Sequence, residues 1–190
     1  MTKKKFETKD LVMSAIFTAI VLVLQMLGSF VKFGPFSISL VLVPIVIGAA
    51  VCGKGIGAWL GFVFSVAVLA TDSGAFLAVN PMGTVVTVLL KGTLAGFVAG
   101  YVYRLISRKN VILAVFVAAL LCPIVNTGIF MLGCKVFFME TLTEWASAAG
   151  FADAASYIIY GMVGANFLFE VLFNVILSPI IVRLINIGKK

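Results

Sequence analysis

Residues 11–30 of the chain read LVMSAIFTAIVLVLQMLGSF, twenty residues without a formal charge. The hydrocarbon core of a bilayer is about 30 Å thick, and an α-helix needs roughly 20 apolar residues to cross it. The run is too long for a removable signal peptide, and it lacks a small-residue cleavage site. Residues 11–30 therefore predict a transmembrane helix.

Five further apolar runs follow the first. Of the 190 residues, 63% are hydrophobic and 11% are charged, whereas about 25% of residues in soluble proteins are charged. So few charges cannot cover a globule with a hydrated surface, which excludes a cytosolic enzyme, a disordered chain and a nucleic-acid-binding domain. We predict an all-α integral membrane protein, one compact domain of residues 1–190, whose six spans are the first run and residues 38–51, 56–70, 81–106, 111–134 and 157–187.

The net charge of +7 is distributed unevenly along this predicted topology. Residues 1–9 form a basic N-terminal segment, and two lysines close the chain. With six spans, one side of the membrane holds eleven basic residues and the other holds two, Lys32 and Lys135. Because lysine and arginine are retained in cytoplasmic loops, this bias predicts that both termini are cytoplasmic. Basic clusters that flank apolar runs also speak against nucleic-acid binding.

Local signals predict several helix boundaries. Asp10 is a plausible N-cap of the first helix. The Asn80-Pro81 pair predicts the start of the fourth helix, with Asn80 as N-cap and Pro81 at the first helical position. Pro123 and Pro179 fall inside the fifth and sixth runs, where we expect them to kink a helix without ending it.

The longest predicted outer loop covers residues 135–156 and is amphipathic. A loop of that length in so short a chain often has a function, such as that of a lid. The alternative is an interfacial helix that Trp145 and Phe151 anchor at the membrane surface.

Features of a self-contained enzyme are missing from the sequence. The chain has no histidine, the commonest general base and metal ligand. Its three cysteines, Cys52, Cys122 and Cys134, show no CxxC spacing and are expected to be small apolar core residues. No Walker A, GxSxG, HExxH or acidic Mg²⁺-binding pattern occurs. We therefore predict no enzyme activity, no metal, no cofactor and no ATPase within this chain.

Two formal charges lie deep inside predicted spans. Lys91 is about ten residues into the fourth helix from its outer end, and Glu170 is about thirteen residues into the sixth. At 1.5 Å per residue, each is on the order of 15–20 Å deep. Ionisable groups are costly there and mark substrate pathways more often than they only hold helices together. The two groups therefore either contact a polar ligand or form a structural pair between two helices.

Uncharged polar residues share this depth. Asn166 lies four residues before Glu170 on one helical face, and Asn174 continues that face. Asn126 lies on the fifth helix. Such a cluster in the outer half of the membrane suits a small ligand with carboxylate, hydroxyl or amide groups, although interhelical hydrogen bonding alone is the simpler role. The candidate substrate-binding residues are Lys91, Asn126, Asn166, Glu170, Thr87 and Asn80.

Small residues recur at four-residue spacing on three helices and permit close helix approach. Gly57 and Gly61 lie on the third helix, and the fourth carries a double GxxxG that begins at Gly92. Most such faces should pack inside the bundle. Ala15 and Ala19, near the cytoplasmic end of the first helix, could instead contact a partner protein.

Together these features resemble the S component, the substrate-binding membrane subunit, of an energy-coupling-factor (ECF) vitamin transporter. The resemblance spans nearly the whole chain, and its order is nearest the pantothenate-type and related branches. The segments that carry it are SAIFTA at 14–19, FGP at 33–35, SLVLVPIVIG at 39–48, GKGIGAWLG at 53–61, KGTLAG at 91–96, PIVNT at 123–127 and NFLFE at 166–170.

The resemblance implies a function and partners. Such subunits lie in the bacterial plasma membrane, bind a water-soluble vitamin from outside, and associate with a membrane scaffold (T) subunit and two cytoplasmic ATPases. Family ligands lie between the outer halves of helices four to six, which is the predicted position of the candidate residues. The alanine face of the first helix is the family's docking surface for the scaffold, and it corresponds to Ala15 and Ala19.

Two other functions stay open on the sequence alone. One is a structural or assembly membrane protein, in which Lys91 and Glu170 only lock the bundle. The other is a stand-alone facilitator or channel. Loss of ligand binding in variants of Lys91 and Glu170 that keep their fold would distinguish a binding subunit from the structural alternative.

Overall fold

A computed structural model describes residues 8–30, 32–33, 36–37 and 40–188, without the side chains of residues 9, 32–33, 36–37, 165 and 184–188. The basic residues predicted at positions 3–5, 9, 32 and 189–190, and the Gly34-Pro35 part of the FGP motif, lie outside the described residues or side chains.

The described chain is helical apart from one short strand pair. Strands β1 (Lys32–Phe33) and β2 (Phe36–Ser37) are antiparallel. The helices are α1 (Thr8–Gly28), α2 (Leu42–Cys52), α3 (Lys54–Thr71), α4 (Gly74–Val79), α5 (Pro81–Ile106), α6 (Val111–Phe137), α7 (Met139–Ala148), α8 (Ala154–Ser156), α9 (Gly164–Ile176) and α10 (Ser178–Gly188), with a π-helical segment, Tyr157–Val163, between α8 and α9.

Among the described residues, four helices are long and apolar enough to cross a membrane: α1, α3, α5 and α6. The segment 154–176, bent by 42° near its middle, can count as a fifth span. Six full spans are not confirmed, because α2 has only 11 residues. A helix of that length is about 16 Å long, whereas the hydrocarbon core of a bilayer is about 30 Å thick. The cytoplasmic position of the termini stays a prediction.

The predicted boundaries are met in part. Asn80 caps α5, since its Oδ1 accepts a hydrogen bond of 2.9 Å from the Gly83 N–H. Pro123 lies inside α6, as expected. Asp10 is not an N-cap, because α1 begins at Thr8 and Asp10 lies in its first turn. Pro179 was expected to kink its helix without ending it, and the helix is in fact interrupted at Leu177, because α9 ends at Ile176 and α10 begins at Ser178. A proline has no N–H and clashes with the preceding turn, so the helix restarts there.

Helices α3 and α5 pack with their backbones in contact, as the GxxxG faces predicted. A Cβ atom on Gly61 would overlap the Gly92 carbonyl, and one on Gly57 would overlap the Gly96 carbonyl. The Ser65 hydroxyl donates to the Gly61 carbonyl over 2.9 Å beside this crossing. This pair of helices is the centre of the bundle and fixes where Lys91, next to Gly92, enters the interior.

Two separate hydrophobic cores stabilise the molecule. The main core joins α1, α2, α3, α5, α6 and α10. The second core lies at the predicted outer end and is built from Phe76, Cys134, Phe138, Leu142, Ala154, Ile158 and Met162. Of the three cysteines predicted to be core residues, Cys122 and Cys134 are buried, whereas Cys52 is only half-buried.

The predicted outer loop, residues 135–156, is largely helical. It contains the end of α6, all of α7 and all of α8. Asp153 caps α8, where its Oδ1 accepts from the Ser156 N–H over 2.7 Å. This hydrogen bond holds the pKa of Asp153 below its ordinary value. The Trp145 ring packs edge-on against Phe76, with centroids 5.4 Å apart, so α7 is attached to α4.

Candidate functional site

A polar cavity of about 60 Å³ lies inside the bundle beneath the second core. Five helices and the π-helical segment contribute to it, because α1 and α3 line it together with α5, α6 and α9. Its walls combine charged, amide and aromatic side chains: Gln25, Phe64, Val68, Asp72, Lys91, Asn126, Thr127, Phe130, Met162, Val163, Asn166, Phe167 and Glu170.

Lys91 reaches this cavity from the middle of α5. Its Nζ lies 5.3 Å from the centroid of the Phe130 ring and 5.9 Å from that of Phe64. Aromatic faces attract a desolvated cation, and the carboxylates of Glu170 and Asp72 act on the same ammonium. The Lys91 ammonium therefore lies beside two aromatic rings and in the electrostatic field of the Glu170 and Asp72 carboxylates.

Helix α9 presents a row of polar groups one turn apart. Glu170 is 3% exposed, and its Oε1 accepts a long hydrogen bond of 3.5 Å from Asn166 Nδ2. The Nδ2 of Asn174 donates to the Glu170 carbonyl over 2.8 Å. Asn166 and Glu170 line the cavity, whereas Asn174 lies buried one turn further along the helix.

Five buried oxygens near the cavity accept no hydrogen bond within the described structure. Buried polar atoms are nearly always paired in folded proteins, so each unpaired atom requires an explanation. Hydroxyl and amide N–H groups of a ligand would satisfy such acceptors. The five are Thr87 Oγ1, Asn126 Oδ1, Asn166 Oδ1, Glu170 Oε2 and Asn174 Oδ1.

The structure brings four of the six sequence-predicted residues together. Lys91, Asn126, Asn166 and Glu170 all line the main cavity. Thr87 lines an adjoining space of about 30 Å³ that also reaches Lys91. Asn80 lines neither space; it caps α5 and borders an open groove beside α7.

Sequence reasoning missed one wall of the cavity. Gln25 on α1 is 2% exposed, and its Nε2 donates to Asp72 Oδ2 over 2.7 Å and to Thr71 Oγ1 over 3.1 Å. Gln25 is the one amide in the uncharged run 11–30. A single amide in an apolar span was the feature of the sequence that could have indicated a role in the site. The sequence places Asp72 only in an outer loop, and it gives no sign that Phe64 and Phe130 are more than ordinary core residues.

The donor set suits an organic ligand better than a metal ion. Within the described residues, no group of three or more Cys, Asp or Glu side chains is placed to hold a metal. One ammonium and several amide and carboxylate oxygens can instead bind a small molecule that carries an anionic group and hydrogen-bond donors. The fold and the cavity together define a multi-pass membrane protein with a cavity inside its helical bundle that charged, amide and aromatic side chains line.

Comparison with known proteins gives the family. The profile of the family described as "ECF transporter, substrate-specific component" matches residues 9–182. The chain is also 29% identical to the pantothenic acid transporter PanT of Lactococcus lactis subsp. cremoris (strain MG1363), over 94% of each chain. No solved structure gives a significant match.

This chain belongs to the family of substrate-specific components of ECF transporters. The profile covers almost all of the described residues, so the resemblance noted from the sequence motifs is confirmed. Membership makes the chain a membrane transport protein rather than a member of an enzyme class.

Proposed function

We propose that this chain binds pantothenate in the cavity around Lys91 and delivers it to an ATP-driven ECF complex in a bacterial plasma membrane. The observation that carries the proposal is one buried ammonium in a cavity lined or adjoined by unpaired oxygen acceptors. The similarity to a pantothenic acid transporter supports this choice of vitamin. Substrate enters from outside, and both termini face the cytoplasm.

The chemistry of pantothenate matches these groups. Its carboxylate pairs with the Lys91 ammonium, and such charge-assisted hydrogen bonds are the strongest available. Its two hydroxyls and its amide N–H are donors for Asn126, Asn166 and Glu170, each of which has one side-chain oxygen without a partner among the described residues. Glu170 would repel the ligand carboxylate, so the carboxylate lies toward Lys91 and a hydroxyl lies toward Glu170.

The second core serves as the lid of this site. Phe76 of α4 packs against Phe130, which lines the cavity, and against Phe138 and Trp145 on the other side. Movement of α4 or α7 would therefore shift a ring at the cavity wall. This continuity supports a lid over an interfacial anchor for residues 135–156.

Docking to the scaffold subunit uses the groove between α1 and α3. Ala15 and Ala19 line an open groove of about 570 Å³ together with Ile56 and Trp59. Small side chains let another helix approach closely in a membrane. We propose that the T subunit, which connects to two cytoplasmic ATPases, packs a helix into this groove.

A thermal-shift panel on the detergent-purified protein tests the proposed ligand. We expect pantothenate to raise the melting temperature at low micromolar concentration, because a ligand that binds only the folded state stabilises it. Riboflavin, thiamin, biotin and folate are the comparison ligands, and native mass spectrometry would detect a co-purified molecule. A shift with another vitamin alone would replace pantothenate, and no shift with any would favour a structural role.

Bulky substitutions in the groove test the docking surface. Ala15→Trp and Ala19→Trp should abolish pantothenate uptake in cells that carry the ECF module, yet leave the affinity for pantothenate unchanged. Ile16→Trp is the matched control, because Ile16 is 49% exposed on the same helix and does not line the groove. Uptake that survives both alanine substitutions would refute docking through this face.

A further inference from the structure

Helix α1 contributes a polar group to the cavity, although none of the predicted ligand contacts lies on α1. Gln25 is buried, lines the cavity with Lys91, and is hydrogen-bonded to residues at the end of α3. A polar side chain in an otherwise apolar span is costly unless its groups are used.

The two donors of the Gln25 amide are already used. Both of its described side-chain hydrogen bonds come from Nε2, one to Asp72 and one to Thr71. A carboxylate can only accept, so Asp72 fixes which end of the amide faces it. The Thr71 hydroxyl has two acceptors for its hydrogen, Asp72 Oδ2 at 2.9 Å and the Ala67 carbonyl at 3.1 Å, and with either one its oxygen can accept from Gln25.

The orientation of the amide leaves its carbonyl oxygen for a ligand. Among the described residues, both hydrogen bonds of the Gln25 side chain come from Nε2 and none reaches Oε1, and the side chain lines the cavity. An oxygen held in this way accepts a hydrogen bond and cannot donate one.

We propose that Gln25 is a further substrate-binding residue, which accepts a hydrogen bond from one ligand hydroxyl, and that Asp72 is the positioning residue that holds its amide in this orientation. The inference rests on the proposed function, because it takes pantothenate as the ligand. It adds specificity for a hydroxylated substrate, since a site built to bond a hydroxyl discriminates strongly against an analogue without it.

The test combines variants with ligand analogues. Gln25→Leu should weaken pantothenate binding about tenfold, the usual effect of one lost hydrogen bond. Two analogues of pantothenate each lack one of its hydroxyls, and the wild-type protein should bind one of these analogues about tenfold more weakly than pantothenate. Gln25→Leu should bind that analogue and pantothenate with equal affinity, because the contact to this hydroxyl is already lost in the variant. Isothermal titration calorimetry in detergent measures all combinations.

The positioning role of Asp72 is tested by comparing the affinities for pantothenate and the same two analogues. Asp72→Asn supplies an amide that can donate to Gln25 Oε1, so the Gln25 amide is no longer held in one orientation. The preference for the hydroxylated ligand should then shrink, whereas a merely structural role would weaken all three ligands equally. Ser29→Ala, just beyond the end of α1, is the control, because the Ser29 hydroxyl donates to the Met26 carbonyl of α1 and Ser29 does not line the cavity; this variant should bind like the wild type.

The outcomes separate the two proposals. If the wild-type protein does not bind pantothenate, the proposed function fails and this inference fails with it. If the wild type binds but Gln25→Leu keeps the full difference between pantothenate and both analogues, the inference alone is overturned. Additive effects of the substitution and each missing hydroxyl would overturn it as well.

Discussion

Lys91→Met should weaken pantothenate binding about 100-fold while the protein still folds. Methionine keeps the apolar stem of lysine at a similar length and removes the positive charge. A charge-assisted hydrogen bond contributes up to about 3 kcal/mol, which corresponds to roughly a hundredfold change in affinity. The remaining carboxylates of Glu170 and Asp72 at the cavity would also repel an anionic ligand. Calorimetric titration and a melting curve on the same sample measure both quantities.

Lys54→Met is the matched control for this substitution. The Lys54 Nζ also lies over two aromatic rings, 5.2 Å from the centroids of Phe97 and Tyr101, but it does not line the cavity. Its loss removes a comparable cation–aromatic contact and should leave the affinity unchanged.

Glu170→Gln separates a ligand site from a structural pair. Glutamine keeps an acceptor oxygen and removes the negative charge, so the affinity for an anionic ligand should fall far less than in Lys91→Met. If Lys91 and Glu170 only hold helices together, either substitution would lower the melting temperature and leave the affinity of the folded protein unchanged. That result would refute the binding site described here.

Gly61→Ala should prevent the protein from folding stably. An added Cβ would overlap the carbonyl of Gly92, which is backbone and cannot rotate away. Overpacking of a core costs about 1–3 kcal/mol, and we expect at least the upper end here because two helix backbones must separate. Melting temperature and the monomer peak in size-exclusion chromatography measure the loss.

Gly55→Ala on the same helix is the control. A Cβ at Gly55 would meet nothing within 4 Å, and alanine favours a helix over glycine by roughly 0.5–1 kcal/mol. This variant should be as stable as the wild type or slightly more so. Equal stability of the two variants would contradict the close packing of α3 on α5.

The sequence predicted most of the fold because long apolar runs allow few alternatives in a bilayer. The run 81–106 matches α5 residue for residue. The errors arose where length or local chemistry was ambiguous. The described part of the predicted span 38–51 forms a short helix, Leu42–Cys52, rather than a full span. The predicted kink at Pro179 is a one-residue interruption at Leu177, and whether a proline only kinks a helix or interrupts it depends on whether neighbouring groups can satisfy the freed carbonyls.

Helical periodicity predicted those parts of the candidate site whose residues lie on one helix. Asn166 and Glu170 share one face of α9, and the depth of Lys91 follows from counting residues along α5. Periodicity within a helix does not show which distant segments meet. Gln25 and Asp72 are 47 positions apart along the sequence, so their contact became visible only in the folded chain.

The volume of the main cavity has a consequence for the rate of binding. About 60 Å³ is room for roughly two water molecules, and pantothenate is far larger. If pantothenate binds here as proposed, the walls of the cavity must move apart to admit it, and we expect association to be slower than the diffusional rate of an open site. The same movement would precede release, so we expect a long residence time for the bound molecule. Slow exchange of this kind would favour retention of a ligand that is scarce outside the cell.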